Sequence, residues 1–232
     1  MAYILCVETA TEICSVAIAN DGKTIAIAED KLGNNHASQL HILVQKVLDI
    51  ASITLQDLNA IAVSKGPGSY TGLRVGVSSV KGYCYALQIP MIGINTLQSL
   101  ANGYLMQNPN YSGLICPMID ARRMEVYCAL FNNQLAEILP TQAKIIDEHS
   151  FANELAQNEI VFIGNGAAKC QSKFEYSSRL SGTKFEIGYV CNASFISSLV
   201  QAAFDKNEFE DVAYFEPYYL KDFVGTVAKK LV

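Results

Sequence analysis

No stretch of this 232-residue sequence approaches the unbroken apolar run of roughly 20 residues that a membrane-spanning helix needs, so a soluble chain is expected. No basic excess is present either: 17 lysines and arginines face 22 aspartates and glutamates, for a net charge of −5. Free-standing nucleic-acid binders usually carry a basic surface, so contact with RNA would need help from a partner. Histidine occurs three times, which leaves little for a nucleophile–base pair, and no GxSxG elbow is found. The seven cysteines include no CxxC pair, and an odd number cannot all be paired, so reduced thiols are expected. The opening MAYILCVETATE lacks a basic leader and is interrupted by Glu8 and Glu12, so no signal peptide is read and a cytoplasmic location is expected.

What is there is half hydrophobic, enough for one large domain or two small ones, and it runs in alternating elements without repeats. Apolar strands over Tyr3 to Glu8, Cys14 to Ala19 and Thr24 to Glu29 are joined by short polar turns, which predicts a β-meander. From His36 to Ala51, Leu40, Leu43, Val44, Val47 and Leu48 recur at helical spacing, with Asn34 or Asn35 as the cap. The strand LNAIAVS then leads through a glycine loop into a helix from about Thr71 to Gln88, and the strand MIGIN follows. Thr96 is the expected cap of the next helix. Beyond it LICPMID and MEVYCALF form a hairpin turning near Ala121 and Arg122, and AEILPTQAKII is an edge strand broken by Pro140. A short helix after Ser150, the strand IVFIG, the turn NGA and a helix around Ser194 to Phe204 complete the pattern.

This doubled plan suits an α/β fold of the actin-like (ASKHA, ribonuclease H-like) two-domain kind. The first domain is expected over 1–100, a smaller second over 101–206, with 207–232 packing back on the first. Nucleotide chemistry in such a fold would fall to the glycine loop, SKGPGSYTG. It fits neither GxxxxGK[ST], since Leu73 and Arg74 follow Gly72, nor GxGxxG, since its span is one residue too long. Two readings stay open. Gly68, Ser69, Tyr70, Thr71 and Arg74 could receive an anion at a helix N-terminus, or the loop is a tight turn that docks its helix closely. The second is favoured, because Gly72, Gly76 and Ser79 form a stripe of small residues while Gly82 lies on another face.

Glu8 and Thr9 stand where actin-like enzymes keep the acid that organises magnesium and water, yet VETATE lacks the glycine that lets this turn wrap a phosphate. A vestigial site is expected. In DARR, Asp120 beside Arg122 and Arg123 could meet an anion or a tRNA phosphate; an ion pair within the hairpin turn is the favoured reading. His36 and His41, five apart, point about 140° away from each other on a helix and share no metal, and His149 in DEHS suits a solvated or capping role. Tyr214, Phe215, Tyr218, Tyr219 and Phe223 alternate with acids, unlike base-stacking sites, and are expected to pack on the first domain with Lys221, Lys229 and Lys230 at the surface.

One stretch, SKGPGSYTGLRVGVSSVKGYCYALQIPMIGINTLQSLA, resembles the signature of the TsaB (formerly YeaZ) family of tRNA threonylcarbamoyladenosine biosynthesis proteins. ILCVETATEICSVAI, HASQLHILVQKVL, MIDARRMEVYCALF, GNGA and EPYYLKDF extend the resemblance over most of the chain. It implies an actin-like fold and a place in the machinery that installs N6-threonylcarbamoyladenosine at position 37 of tRNAs reading codons that begin with adenine. Members are similar to, but are not, the catalyst. They pair with the TsaD transferase, a larger paralogue, and through that pair with the TsaE ATPase, so tRNA is met via the complex. No catalytic residue, metal or required cofactor is implied for this chain, and ATP or ADP with magnesium belongs at an interface of the complex. The pairing runs through the first two helices, for which His36, Leu40, Gly72, Val75, Gly76, Ser79 and Tyr83 are the candidates, and a homodimer through the same surface is implied when the partner is absent. The paralogue's HxxxH metal pair is missing here, consistent with a non-catalytic subunit. The rival reading is an actin-like phosphotransferase or ATPase using Glu8, the glycine loop and GNGA; peptidase activity comes last.

Overall fold

A computed structural model of the chain describes residues 2–31, 35–175 and 183–221. The first sheet begins as the expected meander, in which β1 (Tyr3–Glu8) runs antiparallel to β2 (Cys14–Asn20) and β2 to β3 (Lys23–Asp30). α1 (His36–Ala51) leads to β4 (Ala60–Gly66), which lies parallel to β1 on its other side. α2 (Tyr70–Leu87) then crosses over to β5 (Met91–Asn95), giving the order β3-β2-β1-β4-β5. After α3 (Thr96–Gln107) the same plan repeats. β6 (Leu114–Asp120), β7 (Glu125–Phe131) and β8 (Glu137–Ile145) form a meander, α4 (Ala152–Leu155) precedes β9 (Ile160–Ile163), and α5 (Ala167–Glu175) connects it to β10 (Thr183–Glu186). The second order, β10-β9-β6-β7-β8, is the first read from its other edge, with β6 central as β1 is. Pro140 sits in the edge strand β8 at a break in the register with β7, between the pairs at Leu139 and Gln142, where a missing amide is tolerated.

Burial explains why these strands are apolar throughout. Leu5 and Val7 of β1 face α1 and α2, while Ile4 and Cys6 face the opposite side of the sheet, so both faces are covered. That opposite side is covered by the 3-10 turn Ala193–Ile196 and α6 (Ser197–Asp205), through Ala193, Ile196, Val200 and Ala203. These residues therefore belong to the first half, and the boundary expected at 206 is displaced by their packing. α3 is displaced too, since Leu97, Leu100, Ala101 and Tyr104 fill the core of the second sheet with Ile115, Ile119 and Ile163. It also ties the halves together: Asn102 Nδ2 donates to the Phe195 carbonyl at 2.6 Å and to Ser198 Oγ at 2.9 Å.

Two helix caps differ from the sequence reading. Asn95, not Thr96, caps α3, its Oδ1 accepting from the Leu97 and Gln98 amides at 2.8 and 3.2 Å, because a side-chain cap must sit before the first helical residue. Asn35 precedes α1 without a side-chain capping bond, and Asn34 lies outside the described residues. Residues 207–221 run back along the first half, with the Glu210 amide on the Met91 carbonyl at 2.9 Å and the Tyr218 amide on the Lys65 carbonyl at 2.6 Å. Phe223, Lys229 and Lys230 lie outside the described residues. Among the described residues no helix is long and apolar enough to cross a membrane.

Candidate functional site

The two sheets face each other across a cleft of about 1120 Å³. One wall is built by the β1–β2 turn at Thr11 and Glu12 and by the first residues of α1 and α2, including His36, Ser69 and Thr71. The other is the β6–β7 hairpin. His36 Nε2 lies 2.9 Å from the Thr11 carbonyl. A carbonyl only accepts, so this nitrogen carries a proton and the imidazole serves to fasten α1 to the turn.

Glu8 does not line this cleft. It is fully buried, its Oε1 accepts the Ala10 amide at 2.7 Å, and its Oε2 accepts the Ser64 hydroxyl. Burial pushes its pKa from 4.5 up to about 7, and the bonds from Ser64, Ala10 and Thr9 pull it only partway back. A carboxyl spent on tying the end of β1 to β4 is not presented to a magnesium ion or water in the cleft. Thr9 is equally buried, pressed against α2. Both are thereby withdrawn as cleft contacts. Gly68, Ser69, Tyr70 and Thr71 do line it, whereas Arg74 lies one turn along, its guanidinium 4.7 Å from the centre of the Tyr70 ring, which packs at a tilt against Tyr219.

The glycine loop is committed to packing. The Ser69 amide donates to the Ala10 carbonyl at 2.7 Å, and Ser69 Oγ caps α2 by accepting the Gly72 amide at 3.3 Å. A Cβ on Gly72 would strike the Thr9 carbonyl oxygen, and one on Gly76 would strike Thr9 Oγ1. The small stripe thus receives the β1–β2 turn of the same chain, so Gly72 and Gly76 are not available to a partner. Leu40 is also withdrawn, being buried between α1 and the sheet.

The outward face of α1 and α2 carries different residues. Ile42 and Ile50 on α1 are 59% and 53% exposed, and Tyr85 on α2 is 75% exposed. Tyr83 and Ser79 of α2 are half-buried, with the Tyr83 hydroxyl 2.8 Å from His41 Nδ1 of α1. Val75 stands at the cleft end of α2. Gly82, on this face, has nothing within 4 Å of an added Cβ, so the surface there is open. Sequence periodicity had signalled Gly82's separate face without indicating that it was the exposed one.

The hairpin across the cleft holds the second unexpected arrangement. Asp120 does not pair with Arg122 or Arg123. Its Oδ1 accepts the Arg122 amide at 2.7 Å and meets Lys169 Nζ at 2.5 Å. Lys169 also donates to the carbonyls of Arg123 at 2.9 Å and Glu125 at 2.7 Å, so three oxygens of the turn converge on one ammonium. Glu125 is paired with Lys221. His149 is exposed beside Glu148, at 3.6 Å, and far from this chemistry. Among the described residues no three His, Cys, Asp or Glu side chains converge as a metal site requires.

A family model described as TsaD, tRNA N6-adenosine threonylcarbamoyltransferase, matches residues 27–231. The tRNA threonylcarbamoyladenosine biosynthesis protein TsaB of Bacillus subtilis (strain 168) is 30% identical over 222 residues, covering 94% of this chain and 93% of that one. The chain belongs to the TsaB family. TsaB of Escherichia coli (strain K12) is 39% identical over 126 residues, a match that spans about half of each protein, 54% of this chain and 53% of the other. YeaZ from Pseudomonas aeruginosa superposes with a TM-score of 0.82 over 95% of this chain and 100% of its own, at 24% identity, a likeness of fold. The doubled sheets of this TsaB-family chain are accordingly the actin-like fold.

Proposed function

We propose that this chain takes part in tRNA threonylcarbamoyladenosine biosynthesis as a non-catalytic subunit. It docks on the TsaD transferase through the outer face of α1 and α2, and the TsaE ATPase joins that pair. Family membership supports the pathway. The observations that favour the docking face are three large apolar side chains left exposed on its two helices, Ile42, Ile50 and Tyr85, and the open space at Gly82 of α2. The non-catalytic part rests on Glu8, whose carboxyl is consumed inside the fold. No cofactor is required of this chain by that reading, and ATP or ADP with magnesium would sit at an interface of the assembled complex.

The test uses Gly82→Arg. Replacing an exposed helical glycine gains about 0.5–1 kcal/mol of helix propensity, so the variant folds, while its side chain fills the space a partner helix would enter. Gel filtration with the transferase is expected to show association lost and the melting temperature kept or raised. An unchanged complex from the folded variant would remove this face from the proposal.

A further inference from the structure

We propose that the Arg122–Arg123 turn is a contact for RNA phosphates, held in its binding shape by Lys169. The inference rests on the reading that this chain works on tRNA and adds where the strand would touch it. The acids that would ordinarily silence these arginines are occupied elsewhere: Asp120 by Lys169 and Glu125 by Lys221. Neither arginine is in an ion pair among the described residues, and both are exposed. The rim of the cleft therefore carries two unneutralised guanidiniums on a chain whose net charge is −5.

The backbone is as unusual as the charge. Arg122 and Arg123 have φ of 70° and 52°, consecutive left-handed conformations that side chains other than glycine's seldom adopt. Such strain persists only where the surroundings over-determine it. Here Lys169 supplies that constraint through three bonds, on Asp120 Oδ1, the Arg123 carbonyl and the Glu125 carbonyl. Asn165 adds a fourth from the next loop, its Oδ1 accepting the Asp120 amide at 3.0 Å. A guanidinium presents a planar fork of donors matched to phosphate oxygens, and such contacts position a nucleic acid without reading its bases.

A strand at the rim is favoured over a compact polyphosphate inside. Of the cleft-lining carboxylates, Asp120 and Glu125 are paired with Lys169 and Lys221 and Glu12 accepts from Asn165, so the uncompensated charge lies on the exposed arginines rather than deeper in the cleft, and an RNA backbone crossing the rim meets it first. With the chain's net negative charge the contact is weak alone and acts when a partner delivers the RNA.

The experiment measures binding of fluorescently labelled tRNA by anisotropy, from 50 to 200 mM salt, to the chain assembled with the transferase. It compares wild type, Arg122→Ala/Arg123→Ala and Lys169→Met, with assembly of each sample read by gel filtration. Each arginine removed is expected to lower the salt slope by roughly one unit, so that the fall in affinity over this range shrinks about threefold per arginine. Lys169→Met keeps both guanidiniums and is expected to give an intermediate slope, which a role limited to stability would not produce. An unchanged slope in the double variant that still assembles overturns the proposal. So does tripolyphosphate binding that depends on the arginines while tRNA binding does not. If wild type fails to assemble, the docking proposal falls instead, and the arginine effect is read on the isolated chain at 20 mM salt.

Discussion

The two halves share one strand order and use the end of their central strand in opposite ways. β1 ends on Glu8, buried and bonded to Ser64 and Ala10; β6 ends on Asp120, exposed and bonded to Lys169. In the first half, the loop after β4 presses its glycines against the backbone of the β1–β2 turn, leaving no room for a ligand between them. In the second, the hairpin stands open with two charged side chains at the cleft rim. An acid at the same topological point has thus become an internal strut in one half and part of an electrostatic surface in the other. Burial decides between these fates, since a carboxyl without water must be neutral or fully bonded.

The sharpest way to break this comparison is at the glycines. In Gly72→Ala the new Cβ would overlap the Thr9 carbonyl oxygen, a backbone atom that cannot swing aside. A loss of about 3 kcal/mol or more is expected by urea unfolding, from overpacking of the α2–turn contact. Gly166→Ala, in the corresponding loop of the second half, places its Cβ 3.0 Å from the Met118 and Ile119 backbone and should cost about 1 kcal/mol. Equal losses would mean that the first half is no more tightly closed than the second.

Glu8 sharpens the same contrast through pH. Its folded pKa of about 7 lies above the ordinary 4.5, so the folded state holds this proton more tightly than the unfolded chain. The stability linked to it is complete below about pH 4.5 and is lost as pH rises through about 7, amounting to about 3 kcal/mol across that window. Glu8→Gln keeps an acceptor for the Ala10 amide and a group for Ser64 while removing the titration. Chemical denaturation between pH 5 and 8 should show wild type losing stability that the variant keeps, and parallel curves would mean that Glu8 does not titrate in this window.

Much of this was legible in the residues. The meanders, α1, α2 and α6 follow from spacing, whereas the cover on both faces of the first sheet emerged only from the packing of Leu5 and Val7 on one side and Ile4 and Cys6 on the other. α5 and β10 were not legible, because AAKCQSKFE and TKFE are short and largely polar. The stripe Gly72, Gly76 and Ser79 was visible as a stripe, but its direction was not, since the turn that fills it lies some sixty residues earlier in the chain. Lys169 left no signal at all. Its acceptors are two main-chain carbonyls and a carboxylate more than 40 residues away, and main-chain acceptors carry no residue type to recognise.

The smallest expected effect tests whether the halves are joined at the cleft mouth by charge. Lys221, which follows the stretch that runs back along the first half, pairs with Glu125 on the second, and their side chains are 43% and 23% exposed. Water and salt screen a pair so placed, so Lys221→Met should cost about 0.5 kcal/mol at low ionic strength and nothing measurable in 0.5 M salt. Urea unfolding of both proteins at the two salt concentrations reads this difference directly. A loss above about 2 kcal/mol that survives high salt would make the pair a structural bridge. The hairpin would then be held from both sides, by Lys169 within its own half and by Lys221 from the other, and the second half's cleft wall would be as firmly fixed as the first's.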